Sequence, residues 1–135
     1  MKREQLSKKD LKEFIGQLES RGLVCTFSKK DKAEKIDSKI LAVNGEPDYF
    51  FHAGKIYPSL KLILREGADR FKKISVDEGA VKFVINGADV MRPGVVDIDE
   101  GISAGDFIVI ADCNHGKPLA EGISLYDSDE MRTLE

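Results

Sequence analysis

Val76-Asp77-Glu78-Gly79-Ala80-Val81-Lys82-Phe83-Val84-Ile85-Asn86-Gly87-Ala88-Asp89-Val90-Met91-Arg92-Pro93-Gly94-Val95 decides how this chain is read. Asp77 can cap a helix over residues 78–85 that buries Ala80, Val81, Val84 and Ile85, and Gly87 can close it at positive φ. A strand over residues 89–92 follows and stops at Pro93-Gly94. That order of parts presents a helix N-terminus and a glycine-lined backbone on one surface. A phosphate–sugar chain can approach such a surface closely, because N–H groups point outward and no Cβ stands in the way. Nothing in the stretch has the make-up of a catalytic centre, so the first expectation is a binding module.

From the end of this stretch onward, residues 94–98, 107–112 and 119–125 read as short strands, and Asn114-His115-Gly116-Lys117 as the clearest turn among them. Gly101 and Gly105 bracket an expected 3₁₀-like turn at Ile102-Ser103-Ala104. Another strand is expected over residues 71–76, so the second half reads as a small, mostly antiparallel barrel with short helices. Upstream, Leu11, Phe14, Ile15 and Leu18 repeat at helical spacing. Ser7 and Asp10 form a capping box before them, and Gly22 is a stop. Residues 23–27 are β-like and 29–35 a polar turn. Residues 36–43 and 49–53 make a hairpin around Asn44-Gly45, with Pro47 favouring a turn longer than two residues. Pro58 is the expected start of a second helix, with Leu60, Ile63 and Leu64 buried and residues 66–69 as its end.

The 135 residues, 41% apolar, suffice for one domain or two small ones. No apolar run approaches the roughly 20 residues that cross a bilayer, and the start at Met1-Lys2-Arg3 has no apolar signal core. A cytoplasmic protein with reduced thiols at Cys25 and Cys113 is expected. The net charge of −3 hides a division. Residues 1–75 carry 17 Lys and Arg against 11 Asp and Glu, while residues 76–135 carry 4 against 13. The second half cannot hold nucleic acid by bulk charge and must use a few placed groups. Part of any RNA footprint is therefore expected in the first half, on the helix face with Lys8, Lys9 and Lys12 or in the 29–35 loop.

At this point the residues carry a family likeness. Val76-Asp77-Glu78-Gly79-Ala80, Gly87-Ala88 and Met91-Arg92-Pro93-Gly94-Val95 resemble the core signature of the PUA domain, an RNA-binding module. Val43-Asn44-Gly45, Phe50-Phe51 and Tyr57-Pro58-Ser59-Leu60 resemble the N-terminal domain of the malignant T-cell-amplified sequence family and its archaeal relatives. The resemblance implies an α+β fold, with a pre-PUA α+β domain over residues 1–70 and a PUA pseudo-barrel over 71–135. It implies RNA binding in translation, through the small ribosomal subunit or tRNA. No enzymatic activity and no cofactor are implied; a translation-factor partner protein is, as is the absence of a membrane role. Relatives add a last aromatic-rich strand that closes the barrel, whereas this sequence stops at Glu135; a bare strand edge is rarely tolerated, so either a tail is omitted or another element is expected to cover the edge.

The RNA-facing group expected from these readings is Lys72, Lys73, Gly79, Lys82, Gly87, Ala88, Arg92, Pro93 and Gly94. The cations would contact phosphates and the glycines would let the backbones approach. Gly79 has a competing explanation in tight helix–strand packing, and Gly87-Ala88 serve the turn first. Tyr57 could stack on a base or belong to the core. His52, His115, Cys25, Cys113 and Asp112 lack the spacing of a structural metal site, and no metal is expected. Asp97, Asp99 and Glu100 cluster without a pocket that would suit acid–base work. Two other classes stay open: a protein-interaction adaptor with the PUA fold as scaffold, and an accessory subunit of a tRNA-modifying enzyme.

Overall fold

Helix α1 (Lys8–Ser20) shows how far local chemistry reaches in this chain. The Ser7 hydroxyl accepts the Asp10 N–H at 3.1 Å and the Asp10 carboxylate accepts the Ser7 N–H at 3.1 Å, closing the capping box. At the far end Gly22 turns to φ 67°. The Gly22 N–H then reaches Glu19 O at 3.1 Å and the Leu23 N–H reaches Leu18 O at 2.9 Å. This pair of bonds is a Schellman stop, which glycine makes without a Cβ penalty. The computed structural model describes residues 2–80 and 94–133 and divides into two units, residues 1–65 and 66–135.

The first unit is a five-stranded antiparallel sheet in sequence order: β1 (Arg3–Gln5), β2 (Ala33–Ile36), β3 (Ile40–Val43), β4 (Glu46–His52) and β5 (Lys55–Pro58). Leu11 and Leu18 of α1 join Phe27, Leu41, Tyr49 and Ile56 in the core. The turn at Asn44-Gly45 has two residues, both at positive φ (51° and 85°), and Val43 pairs directly with Glu46. Pro47 is accommodated inside β4 rather than lengthening the turn. Two further tight turns, at Asp37-Ser38 and Ala53-Gly54, also place their residues at positive φ. They cut the expected long strands, so β2 and β5 appear where a polar turn and a helix start were expected. Pro58 ends β5, and the residue that begins α2 (Leu60–Glu66) is Ser59, whose hydroxyl accepts the Leu62 N–H at 3.2 Å. Arg65 of α2 grips the buried Asp48 of β4 with two bonds, of 3.1 and 2.8 Å. Such a bidentate, charge-assisted pair fixes the helix by direction as well as by energy.

Residues 23–27, expected as a strand, join no ladder. One side chain meets two of their backbone groups instead. The Tyr49 hydroxyl donates to Val24 O at 2.9 Å and accepts the Thr26 N–H at 3.1 Å. Its ring is fully buried and meets Phe27 edge-on, 5.3 Å between centroids. Burial also pushes the phenol pKa up, so the hydroxyl keeps its proton.

The second unit is a four-stranded sheet in the order β7-β6-β8-β9. Its strands are β6 (Lys73–Val76), β7 (Val95–Ile98), β8 (Phe107–Asp112) and β9 (Pro118–Ile123). β6 lies parallel to β8, and the other described pairs are antiparallel. Ile74, Ile98, Ile102, Ile108 and Met131 form its core, Met131 coming from a C-terminal helix, Ser128–Thr133. Gly105 (φ 91°) sits in a β-turn closed by the Asp106 N–H on Ser103 O at 3.0 Å, not in the 3₁₀ turn expected at residues 102–104. The Asp77 N–H bonds Gly94 O at 3.0 Å, and residues 78–80 are helical. A Cβ on Gly94 would stand 2.8 Å from the Ala80 Cβ, closer than carbon atoms pack.

Two substitutions test these contacts. Tyr49→Phe leaves the Val24 carbonyl and Thr26 N–H without their partner and should cost about 1–3 kcal/mol in denaturant unfolding. An unchanged unfolding midpoint would show that water replaces the hydroxyl. Gly94→Ala forces the Ala80 contact apart and should cost about 1–3 kcal/mol. Pairing it with Ala80→Gly should restore most of that loss.

Candidate nucleic-acid interface

The C-terminal end of β6 gathers three backbone segments. Asp77 leads into the helical residues 78–80, with its carboxylate accepting the Ala80 N–H at 2.9 Å. Gly94 closes from one side, and the 113–117 loop lies on the other, tied by the Cys113 N–H to Val76 O at 3.0 Å. Asn114 donates its amide to the Glu78 carboxylate at 3.0 Å, which joins loop and helical turn directly. Asp112 shapes the loop by accepting the Asn114 N–H at 2.7 Å, while Gly116 turns at φ 67°. His115 and Lys117 are exposed there.

The two glycines of this end do different jobs. Gly94 is demanded by its contact with Ala80. Gly79 is exposed, and a Cβ there would meet, among the described residues, only Asp77 Oδ1 at an ordinary 3.4 Å. The described residues therefore give no packing reason for glycine at 79, and its surface is open to a close backbone approach.

The cations expected on the same surface are divided. Lys73 and Lys72 stand at the opposite end of β6, roughly 13 and 17 Å along the strand from Asp77 at ~3.3 Å per residue. Each has a carboxylate: Lys72 Nζ lies 2.8 Å from Asp106, and Lys73 Nζ 3.6 Å from Asp99. Asp106 is held below the usual carboxylate range by its bond from Lys72 and by the Ser103 N–H. Lys82, Gly87, Ala88, Arg92 and Pro93 lie outside the described residues. Lys117 is the exposed cation of the 113–117 loop, which the sequence marks only as a turn.

Other expectations resolve plainly. Tyr57 is buried, stacked on Phe50 at 5.5 Å and covered by the Arg21 guanidinium at 4.4 Å, so its ring faces belong to the core. Cys25 and Cys113 are both free thiols, and no described helix is long and apolar enough to cross a membrane. Of the expected acidic cluster, Asp99 holds Lys73, and Glu100 lines a cleft with Ser103, Asp127, Asp129 and Arg132.

Among the described carboxyls, the one whose pKa is raised is Glu121 on β9, opposite Val109 of β8. Its Oε2 is buried with no hydrogen-bond partner among the described residues, and burial raises its pKa to about 7. A carboxyl whose folded pKa lies above its unfolded value of 4.5 holds its proton more tightly when folded. Stability is then full below pH 4.5 and falls as pH rises through 7. Partial exposure reduces the effect, so the loss between pH 5 and pH 8 should be about 1–2 kcal/mol. Glu121→Gln should flatten that slope in denaturant titrations at the two pH values, and an unaltered slope would assign it to other groups.

Comparison with known proteins places this geometry in a family. The PUA domain family matches residues 72–135, and a domain of unknown function, DUF1947, matches residues 2–66. An uncharacterized protein of Methanocaldococcus jannaschii is 42% identical over 99% of this chain and 85% of its own length. Translation machinery-associated protein 20 of Schizosaccharomyces pombe is 32% identical over 69% of the chain. Malignant T-cell-amplified sequence 1-A of Xenopus laevis is 43% identical over 71%. The matched regions span about half of those two proteins, 54% and 55%. Among solved structures, a hypothetical protein of Pyrococcus horikoshii OT3 superposes with a TM-score of 0.80 at 35% identity. It covers 98% of this chain and 87% of that one. A PUA domain protein of Aeropyrum pernix K1 gives 0.82 at 28%, covering 98% and 77%. With a DUF1947 domain ahead of a PUA domain, one relative matched over 99% of the chain and the frog relative over 71%, the chain belongs to the PUA-domain proteins of the malignant T-cell-amplified sequence family.

Proposed function

We propose that this chain is a non-catalytic RNA-binding protein of the translation machinery, acting at the small ribosomal subunit or on tRNA. The observation that carries the reading is the exposed Gly79 at the start of the helical turn, beside Gly94 and the 113–117 loop, in a PUA domain. Such a surface admits a phosphate–sugar backbone where a Cβ would obstruct it. The yeast relative, translation machinery-associated protein 20, supports the translation link. Residues 1–70 and 71–135 are the two working domains in this reading.

The contact residues proposed are Gly79, Lys82, Gly87, Ala88, Arg92, Pro93 and Gly94, with Lys72 and Lys73 as outlying phosphate contacts. The pairs that hold those two lysines are at the surface, where such bridges contribute little and exchange partners cheaply. A translation-factor protein partner fits the same reading. The acidic balance of residues 76–135 keeps a second reading in play, an adaptor that docks a protein and uses the PUA fold as scaffold.

Replacing Lys82 and Arg92 together by glutamate separates the readings. RNA binding should weaken, and the slope of log K against log salt should drop by about 2, one for each lost phosphate contact. Circular dichroism should be unchanged. Binding equal to that of the parent protein, with the fold intact, would remove this surface from the RNA footprint.

A further inference from the structure

One end of the five-stranded sheet collects lysines that have no carboxylate partner among the described residues. The chain leaves β1 at Leu6, whose N–H bonds Ala33 O at 3.0 Å, so the start of α1 with Lys8 and Lys9 stands beside the start of β2. The 28–32 loop arrives at the same place. It is closed on itself by the Ser28 N–H on Asp31 Oδ2 at 2.8 Å and by the Asp31 N–H on Ser28 O at 3.1 Å. Asn44, at the tip of the β3–β4 turn, then clamps it three times. Its amide donates to Asp31 Oδ1 at 3.2 Å, its side-chain oxygen accepts the Lys32 N–H at 3.2 Å, and its own N–H bonds Lys32 O at 2.7 Å. Lys29, Lys30 and Lys32 are thereby presented on a fixed backbone, all exposed.

The carboxylates at this end are otherwise engaged. Glu34 binds Arg3 at 3.0 Å and Gln5 at 3.1 Å, and Glu46 binds Lys61 at 2.8 Å. Asp10 caps α1, and Asp31 is turned onto the Ser28 N–H and the Asn44 amide, which hold its pKa below the usual range. Among the described residues, Lys8, Lys9, Lys29, Lys30 and Lys32 have no carboxylate within 4.0 Å. Lys12 and Glu13, one turn along α1, cancel each other in charge. Five lysines stand against two carboxylates that lie in no ion pair, Asp10 and Asp31, a local excess of about three positive charges.

We infer that this end of the sheet, Lys29, Lys30 and Lys32 on the Asn44-clamped loop with Lys8 and Lys9 beside them, is a second RNA contact that grips the phosphate backbone. Lysine ammonium groups act as point charges, which suits phosphates irrespective of sequence. A protein partner would need apolar or aromatic anchors at the centre of the patch. The exposed large apolar residues described are Leu64, Val96, Ile123, Leu125 and Tyr126, and none lies in the segments that meet here. The clamp also limits the ordering cost of binding, since the loop backbone is already fixed. The inference rests on the RNA-binding reading above but uses none of its residues.

The test uses the full chain and two probes, a 20-nucleotide single-stranded RNA and polyglutamate, each titrated against salt. Lys29→Gln, Lys30→Gln and Lys32→Gln combined should lower the RNA salt slope by about 2, at ~0.7 per lost phosphate contact. Thermal unfolding should be unchanged. Asn44→Ala, which keeps every lysine but frees the loop, should weaken RNA binding with a smaller change in slope. An unaltered affinity and slope in the triple variant, with the Lys82/Arg92 reversal still weakening binding, would overturn this contact while sparing the general reading. A parent protein that binds no RNA would overturn both. Polyglutamate bound more tightly than RNA, and lost in the triple variant, would make the patch a protein-docking surface and overturn the RNA assignment.

Discussion

The buried hydroxyl of Tyr49 governs the route of the chain through the first unit. After the Schellman stop at Gly22 the backbone has no ladder to join, yet it must pass over the core with its polar groups satisfied. One phenol oxygen meets both the Val24 carbonyl and the Thr26 N–H, and the ring beneath it packs edge-on against Phe27. Leaving the Val24 carbonyl and the Thr26 N–H without this partner would cost about 1–3 kcal/mol. The segment is therefore held where Ser28 and Asp31 can close the next turn, and Asn44 can receive it. The position of the lysine loop descends from a tyrosine 20 residues further along the chain.

Much of this was legible in the sequence where a single residue type carries the geometry. Ser7, Asp10 and Gly22 announced α1 because capping box and glycine stop are local bonds that the sequence writes out. Asn44-Gly45 announced its hairpin because both residues tolerate positive φ. The turns at Asp37-Ser38 and Ala53-Gly54 were missed for the converse reason. Asp37, Ser38 and Ala53 adopt φ of 50°, 58° and 50° with no preference strong enough to signal it. Strand β1, Arg-Glu-Gln and exposed throughout, has no apolar alternation to read. Residues 23–27 had a strand's composition, but the partner of their backbone was a side chain 23 to 25 positions away.

The candidate site divides along the same line. Gly79 and Gly94 could be singled out from the motif, but only the geometry separates a glycine required by a 2.8 Å approach from one that nothing described presses upon. Lys72 and Lys73 looked free because their carboxylates, Asp106 and Asp99, lie 34 and 26 residues away. Glu121 gave no signal at all. Its neighbours in sequence, Ala120 and Gly122, say nothing about burial, and its environment is set by pairing with β8.

Net charge by halves pointed in a useful direction for an incomplete reason. It counted every carboxylate as a free negative charge and every lysine as a free positive one. In the second unit Asp106 and Asp99 lie against Lys72 and Lys73, while Asp77 and Asp112 are turned to backbone N–H groups. In the first, Glu34 and Glu46 are neutralised by Arg3 and Lys61, and the neighbouring lysines are left over. A polyanion senses the charge remaining within about a Debye length of its phosphates, not the total over the chain. A protein of net charge −3 can therefore present a cationic contact, provided its carboxylates are committed elsewhere by geometry. The capping box at Ser7 and the Ser28–Asp31 turn supply that commitment, so the same bonds that end loops and start helices also expose the lysines.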